Sequence, residues 1–424
     1  MKAVVLAAGE STRLRPLTAT RPKHMLPIAG KPVLEHLLLA IRRNGIKEIN
    51  IVIGYRSEMI QKYFGDGKKF GLRLTYTLQD RPLGTADALR VAEEYVEGDY
   101  FLLIYGDIYV HASSIGSLLQ KHLDTGVASI AVVPVKDPRQ FGIIELRGEF
   151  VKRIIEKPKE GESSSNLANA GIYVLPKAIF RETSRTPTSP RSEFEITDTI
   201  QHLLEEGLPF VSKTIHSGTW LDIGRPWDLL EANSMALQRS PLEVEGTIEE
   251  GVRIVGKVGV EEGARIRTGS YLEGPVLIGG GSEIGPNTYI RPFTSIGRNV
   301  FIGNACEVKA SLILDNSHVE HLSYVGDSII GENCNLGAGT ITANLRFDED
   351  TVKMMVKSEL ADSGRRKLGS ILGDNVKTGT GVNLMPGVKL GPNVWIGPNV
   401  TVYRDVAAGV FVTQKQNVDF RTIS

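Results

Sequence analysis

The sequence predicts an α/β Rossmann-like domain followed by a left-handed parallel β-helix of hexapeptide repeats, and three observations lead there. Short apolar runs alternate with helical patterns over residues 1–238. From Ile248 an aliphatic residue then recurs at every sixth position, a spacing that neither the helical period nor the strand period sustains. The chain is also 424 residues long, beyond what a single hydrophobic core spans. The expected domains are 1–238 and 239–424, with an inserted loop at 345–371.

Composition narrows the function. The chain carries 49 basic and 49 acidic residues and no net charge, which removes the electrostatic footprint of a nucleic-acid binder. Cys306 and Cys334 are the two cysteines, too few for a disulfide scaffold or a Cys-rich metal site. No run approaches the ~18 apolar residues of a membrane span. Met1-Lys2-Ala3-Val4 enters the first strand without a cleavage-site pattern. A cytoplasmic protein without membrane or nucleic-acid partners is the expectation.

In chain order, Val4–Leu6, Ile49–Ile53, Leu74–Leu78 and Phe101–Ile104 read as strands. Pro32–Asn44 places Leu34, Leu37, Leu38 and Ile41 on one helical face, and Gly45 supplies the stop. Gly84–Glu94 and Ser113–Asp124 are further helices, so a parallel sheet with right-handed crossovers follows. Ligand groups are then expected beyond the strands' carboxyl ends. After the first strand, Leu6-Ala7-Ala8-Gly9 opens backbone N–H groups toward phosphate oxygens, and Arg13 and Lys23 add full charges. Asp107 ends a strand, a place suited to Mg²⁺. Gln79 can pair with a pyrimidine edge, while Gly84, followed by Thr85, lets a planar base approach the backbone. Glu156 and Asn169 suit pyranose hydroxyls, and Lys157 a sugar phosphate. A helix opens at Arg191–Asp198, and Pro226 starts a closing helix. Each of these stretches also has a plain structural reading, as a turn, a loop or a helix cap.

The run from Leu6 to Lys23, with Leu14, Pro16, Leu17, Thr18 and Pro22, resembles the signature of the sugar-phosphate nucleotidylyltransferases; Ser11 stands where that family has its second glycine. The resemblance implies a nucleotide site at Leu6, Ala8, Gly9, Gln79, Gly84 and Thr85. It implies hexose contacts from Gly142, Glu156 and Asn169, a phosphate contact from Lys157, and metal ligands in Asp107 and Asp222. Arg13 and Lys23 would be catalytic.

The six-residue period runs Ile248, Ile254, Val260, Ile266 and onward to Val308 and Leu314, resumes after a phase shift at Ile330 and Leu336, and returns from Leu372 to Val402. Three hexads complete one triangular coil, with an aliphatic side chain filling each corner. Within the repeat, His321-Leu322-Ser323-Tyr324-Val325-Gly326-Asp327 and Gly337–Asn344 resemble the acetyltransferase half of bifunctional N-acetylglucosamine-1-phosphate uridylyltransferases. That likeness implies His321 as general base, Arg291 and Lys309 on a sugar phosphate, and Tyr324 and Asn344 orienting the sugar. Lys353 matches one of two loop lysines in archaeal members, with Asp350 at the other position.

The implied protein is a bifunctional enzyme using UTP or dTTP, sugar 1-phosphates, Mg²⁺ and acetyl-CoA, assembled as a homotrimer. Two alternatives stand beside it. One is a single-activity nucleotidylyltransferase whose β-helix only builds the oligomer. The other is a non-enzymatic regulatory subunit of the exchange-factor type, against which intact Arg13, Lys23, Asp107 and Asp222 argue.

Overall fold

The computed structural model describes residues 1–189, 192–416 and 418–422. Contacts divide the chain into two compact units: Met1–Ser11, Arg21–Leu26 and Lys31–Ile223 form the first, and Thr12–Thr20, Pro27–Gly30 and Gly224–Ser424 the second.

In the first unit the strand Ala3–Ala7 is buried at every position, as a strand covered on both faces must be. It pairs in parallel with Glu48–Ile53 and with Tyr100–Tyr105, and Arg73–Leu78 lies parallel beyond Glu48–Ile53. All four expected strands are therefore present. Alternate side chains feed two cores: Ala3, Val5 and Ala7 on one face, Val4, Leu6 and Ala8 on the other.

Beyond Tyr100–Tyr105 the sheet is mixed rather than parallel throughout. Leu167–Pro176 runs antiparallel to Tyr100–Tyr105 and to Ala128–Pro134, and Phe150–Glu156 runs antiparallel to Gly142–Arg147. The reason is local for the last pair: only Gly148 and Glu149 join its strands, and a hairpin that short cannot make a parallel crossover. The helix Val33–Arg43 buries Leu34, Leu37, Leu38 and Ile41 as expected. The next helix, Thr85–Arg90, is shorter than the pattern suggests and passes into a 3₁₀ turn at Glu93–Tyr95. Helix Ile196–Glu205 begins after the acidic segment; the expected start at Arg191 lies outside the described residues.

The second unit is a left-handed parallel β-helix whose described strands form sheets of nine, eight and seven. Residues one coil apart stack directly, as Ile266 on Ile284 and Ile284 on Ile302, and the aliphatic corners merge into one core. The period slips one residue earlier than the sequence suggests. Ile313, not Leu314, pairs with Ile296 and with Ile330, because the turn after Val308 is one residue short; Leu314 stays buried beside it. The loop 345–371 carries an antiparallel hairpin, Lys353–Val356 with Glu359–Asp362, above a bridge between Leu345 and Lys367. The helix Pro226–Arg239 groups with the coils, where its fully buried Asn233 accepts from Ser295 Oγ at 2.7 Å and donates to the Phe293 carbonyl at 3.0 Å. Among the described residues no helix is long and apolar enough to cross a membrane.

Candidate active sites

Strand ends of the first unit enclose a cavity of about 250 Å³ lined by Leu6, Ala8, Gly9, Lys23, Gln79, Gly84, Thr85 and Asp107. Eight residues singled out from four stretches of sequence thus meet around one space. Its polar centre is the ion pair between Lys23 Nζ and Asp107 Oδ2, both largely shielded from water. Burial pushes the Asp107 carboxyl up, but the Lys23 ammonium beside it prevails and holds it below the ordinary carboxylate range. Asp222 pairs across a two-stranded ribbon with Ile108, and the Ile223 amide donates to the Asp107 carbonyl at 3.0 Å, so the backbones that carry the two expected carboxylates are neighbours.

Three of the expected nucleotide contacts carry structural duties as well. Gln79 is buried and donates through Nε2 to Asp87 Oδ2 at 2.8 Å and to the Gly84 carbonyl at 3.2 Å. Its donor half is thereby engaged, and its Oε1 is the atom left to meet a base. Gly84 has φ 119, and a Cβ there would sit 2.4 Å from the Phe194 carbonyl oxygen. Glycine is thus required first for the approach of the Phe194 backbone, which also receives the Ala86 amide. The Thr85 hydroxyl accepts from the Ile196 amide at 2.9 Å. Ser11 takes φ 58, so a serine adopts the left-handed conformation that the family's glycine would hold freely. Arg13 is exposed on the 3₁₀ turn Thr12–Leu14, in the segment Thr12–Thr20 that groups with the second unit.

The hexose group gathers by strand register. Gly142 pairs with Glu156, and Thr197 Oγ1 donates to Glu156 Oε2 at 3.3 Å. Asn169 accepts the Gly171 amide at 3.0 Å and donates to the Tyr173 hydroxyl, which donates to Tyr105 Oη at 3.2 Å. Because Tyr105 also lines the cavity, this chain joins the two groups. Burial raises both phenols, further keeping them neutral. Lys157 is exposed and has φ 48.

Tyr105, Tyr173 and His24 carry no individual motif signal in the sequence. His24 also lines the cavity, 1 % exposed, with its Nδ1 buried and unpartnered. Burial and the Lys23 charge lower its pKa to about 3 against the opposing pull of Asp107, so the imidazole is neutral. Its position next to Lys23 was the available signal.

On the β-helix, Lys309 Nζ donates to Asp327 Oδ2 at 2.8 Å, and Asn344 Nδ2 donates to the same oxygen at 2.6 Å and to Tyr324 Oη at 3.0 Å. Arg291, one coil from Lys309, donates through Nη1 to Glu307 at 2.8 Å, while its buried Nε has no partner. His321 lies on the turn that leads into Tyr324–Gly326. It follows the strand His318–Val319 of a different sheet, its side chain is 63 % exposed, and its nearest ionic neighbour is Glu320 at 3.8 Å. Lys353 lines a separate cavity of about 310 Å³ with Leu345, Arg346, Phe347, Asp348 and Met385.

Residues 2–239 match the family model described as nucleotidyl transferase. The chain belongs to the nucleotidyl transferase family. Residues 272–385 match the GMPPB C-terminal domain and residues 369–404 the bacterial transferase hexapeptide with six repeats. The chain is 45 % identical to the bifunctional protein GlmU of Methanocaldococcus jannaschii, covering all of both chains. It is 41 % identical to a bifunctional sugar-1-phosphate nucleotidylyltransferase/acetyltransferase of Sulfurisphaera tokodaii over 97 % of this chain and 99 % of that one. It is 39 % identical to a glucose-1-phosphate thymidylyltransferase of Streptomyces antibioticus over 78 % and 92 %. This nucleotidyl transferase is thus an enzyme of the GlmU-like bifunctional type, with a hexapeptide acetyltransferase domain behind the first.

Proposed function

We propose that residues 1–238 transfer a nucleotidyl group from UTP or dTTP to a hexose or N-acetylhexosamine 1-phosphate, releasing pyrophosphate. Residues 239–424 transfer an acetyl group from acetyl-CoA to the amine of glucosamine 1-phosphate or its galacto epimer. The observation that carries the first reaction is the Lys23–Asp107 pair at the centre of the cavity beside Gly9 and Gln79.

In that reaction an oxygen of the sugar phosphate attacks the α-phosphorus in line, and pyrophosphate leaves. Lys23 and Arg13 offset the negative charge that develops on the transferring and leaving groups. The Gln79 Oε1 accepts the ring N–H that uracil and thymine share, which is why both nucleotides stand. Glu156 and Asn169 take sugar hydroxyls, and Lys157 the sugar's phosphate. Asp107 and Asp222 fit Mg²⁺, being two hard carboxylates, one in the turn before Ile108 and one paired with Ile108, with Asp107 kept ionised by Lys23. Bound there, the ion would neutralise phosphate charge.

In the second reaction the sugar amine attacks the thioester carbonyl, a C–N bond forms, the C–S bond breaks and CoA leaves as the thiol. His321 accepts the proton the amine gives up. Arg291 and Lys309 hold the sugar phosphate, Tyr324 and Asn344 orient the ring, and Lys353 adds a cation from the hairpin. Because His321 and the Lys309 group lie on different parts of one coil, we assign the complete site to a homotrimer in which neighbouring subunits share it.

A substrate matrix tests the whole reading: four nucleoside triphosphates against glucose, glucosamine and N-acetylglucosamine 1-phosphates, with and without acetyl-CoA. Pyrophosphate release with UTP or dTTP, and thiol release with glucosamine 1-phosphate alone, is the expected pattern. Pyrophosphate release without thiol release from any acceptor would favour the single-activity alternative.

A further inference from the structure

We propose that Asp327 is a positioning residue of the acetyl-transfer site, holding the Lys309 ammonium and the Asn344 amide on a single carboxylate oxygen. The inference rests on the acetyl-transfer reading above and adds to it a residue that touches no substrate. Asp327 is 4 % exposed. A carboxylate that deep is costly unless it is paired and hydrogen-bonded. Its Oδ2 receives Lys309 Nζ at 2.8 Å and Asn344 Nδ2 at 2.6 Å.

The backbone around it is fixed on both sides. The Asp327 amide donates to the Lys309 carbonyl at 2.9 Å, and the Asp327 carbonyl accepts the Gly369 amide at 2.9 Å. Asp327 has φ 49, a region where aspartate is among the few side chains tolerated. The preceding glycine belongs to the same device. A Cβ on Gly326 would lie 2.3 Å from Tyr324 Oη and 2.7 Å from Asn344 Nδ2. Only glycine lets the tyrosine hydroxyl fold back onto the asparagine. The run Tyr324-Val325-Gly326-Asp327 is therefore a single unit of construction.

That unit decides which atoms the substrate meets. Both amide hydrogens of Asn344 are spent, one on Asp327 and one on Tyr324, so its Oδ1 is turned to a donor such as an amine or hydroxyl of the sugar. An ammonium has three N–H donors; Asp327 takes one from Lys309, and the remainder serve a phosphate. Without the carboxylate, Lys309 and Asn344 lose their common anchor and the register between phosphate and amine.

The test is steady-state thiol release from acetyl-CoA with glucosamine 1-phosphate, alongside nucleotidyl transfer on the same preparations of the full chain. Asp327→Asn should raise the KM for glucosamine 1-phosphate about tenfold or more, the effect of losing an ionic hydrogen bond, while nucleotidyl transfer stays at the wild-type level. Lys309→Met should behave alike, and the double variant should be no worse than the poorer single one. A wild-type KM in Asp327→Asn, or full additivity in the double variant, overturns the inference. If Asp327→Asn unfolds the β-helix, Lys309→Met and Asn344→Ala decide in its place. These two residues meet through Asp327 Oδ2, so independent effects on KM would overturn the proposal equally. Absence of thiol release in the wild type is a different outcome: it removes the acetyl-transfer reading and this inference with it.

Discussion

In the first unit the cavity draws Gly9, Lys23, Gln79 and Asp107 from separate stretches of the chain, whereas on the β-helix Arg291 and Lys309 lie near each other because they stand one coil apart. One site is assembled by the crossovers of an open sheet, the other by a ladder. In the sheet, neighbours in space are set by strand order, which periodicity does not state. In the ladder, sequence spacing is spatial placement, so the same spacing that brings Arg291 to Lys309 puts His321 on the turn before Tyr324. The difference teaches that a sheet hides its neighbours from sequence spacing, while a ladder writes them into it.

The sharpest break in that comparison comes from Asp107→Asn. It removes the carboxylate that pairs with Lys23 and should abolish pyrophosphate release, leaving acetyl transfer intact; Asp222→Asn should do the same. Parallel assays of both activities check this. Equal loss of the two would mean that the sites are not independent.

How far the sequence could be read follows the same division. The hexad period located nearly every corner of the β-helix, and failed at Leu314 because one short turn is invisible to a six-residue rule. Motifs found the cavity residues, although spacing alone could not have joined Gln79 to Asp107. Arg13 matched the motif, yet its segment Thr12–Thr20 groups with the second unit, a division that a local signature does not record. The Asn169–Tyr173–Tyr105 chain was not legible, because it depends on the antiparallel pairing of Leu167–Pro176 with Tyr100–Tyr105. Asp327 lay inside a quoted motif without a role, since its two partners come from neighbouring coils.

His321→Ala carries the comparison to the ladder. Loss of a general base should lower thiol release by roughly 10²–10⁴ and leave pyrophosphate release unchanged. Mixing His321→Ala with Lys309→Met subunits sharpens it: if neighbouring subunits share the site, refolded mixtures recover part of the activity that neither variant has. No recovery would place each complete site within one chain. In the sheet domain, Lys23→Ala should cost the transition state about 3 kcal/mol, a fall of roughly 10²–10³ in kcat, with a smaller change in nucleotide binding. An unchanged kcat with a raised KM would make Lys23 a uniform binding residue.

The smallest expected effect is a silence that the thiol assays depend on. Cys306 and Cys334 are both buried in the core of the coils, free and unbridged. Burial raises both thiols, and Cys334 is pushed up to about 12. The thiolate is the reactive form, so at pH 8 both thiols stay protonated, and close packing denies a reagent access to them. A chromogenic disulfide should therefore find no protein thiol in the native enzyme and two after denaturation, while CoA released by the second activity reacts at once. Rapid labelling of either cysteine in the native state would show that the ladder opens locally, and that its sites are less fixed than those of the sheet.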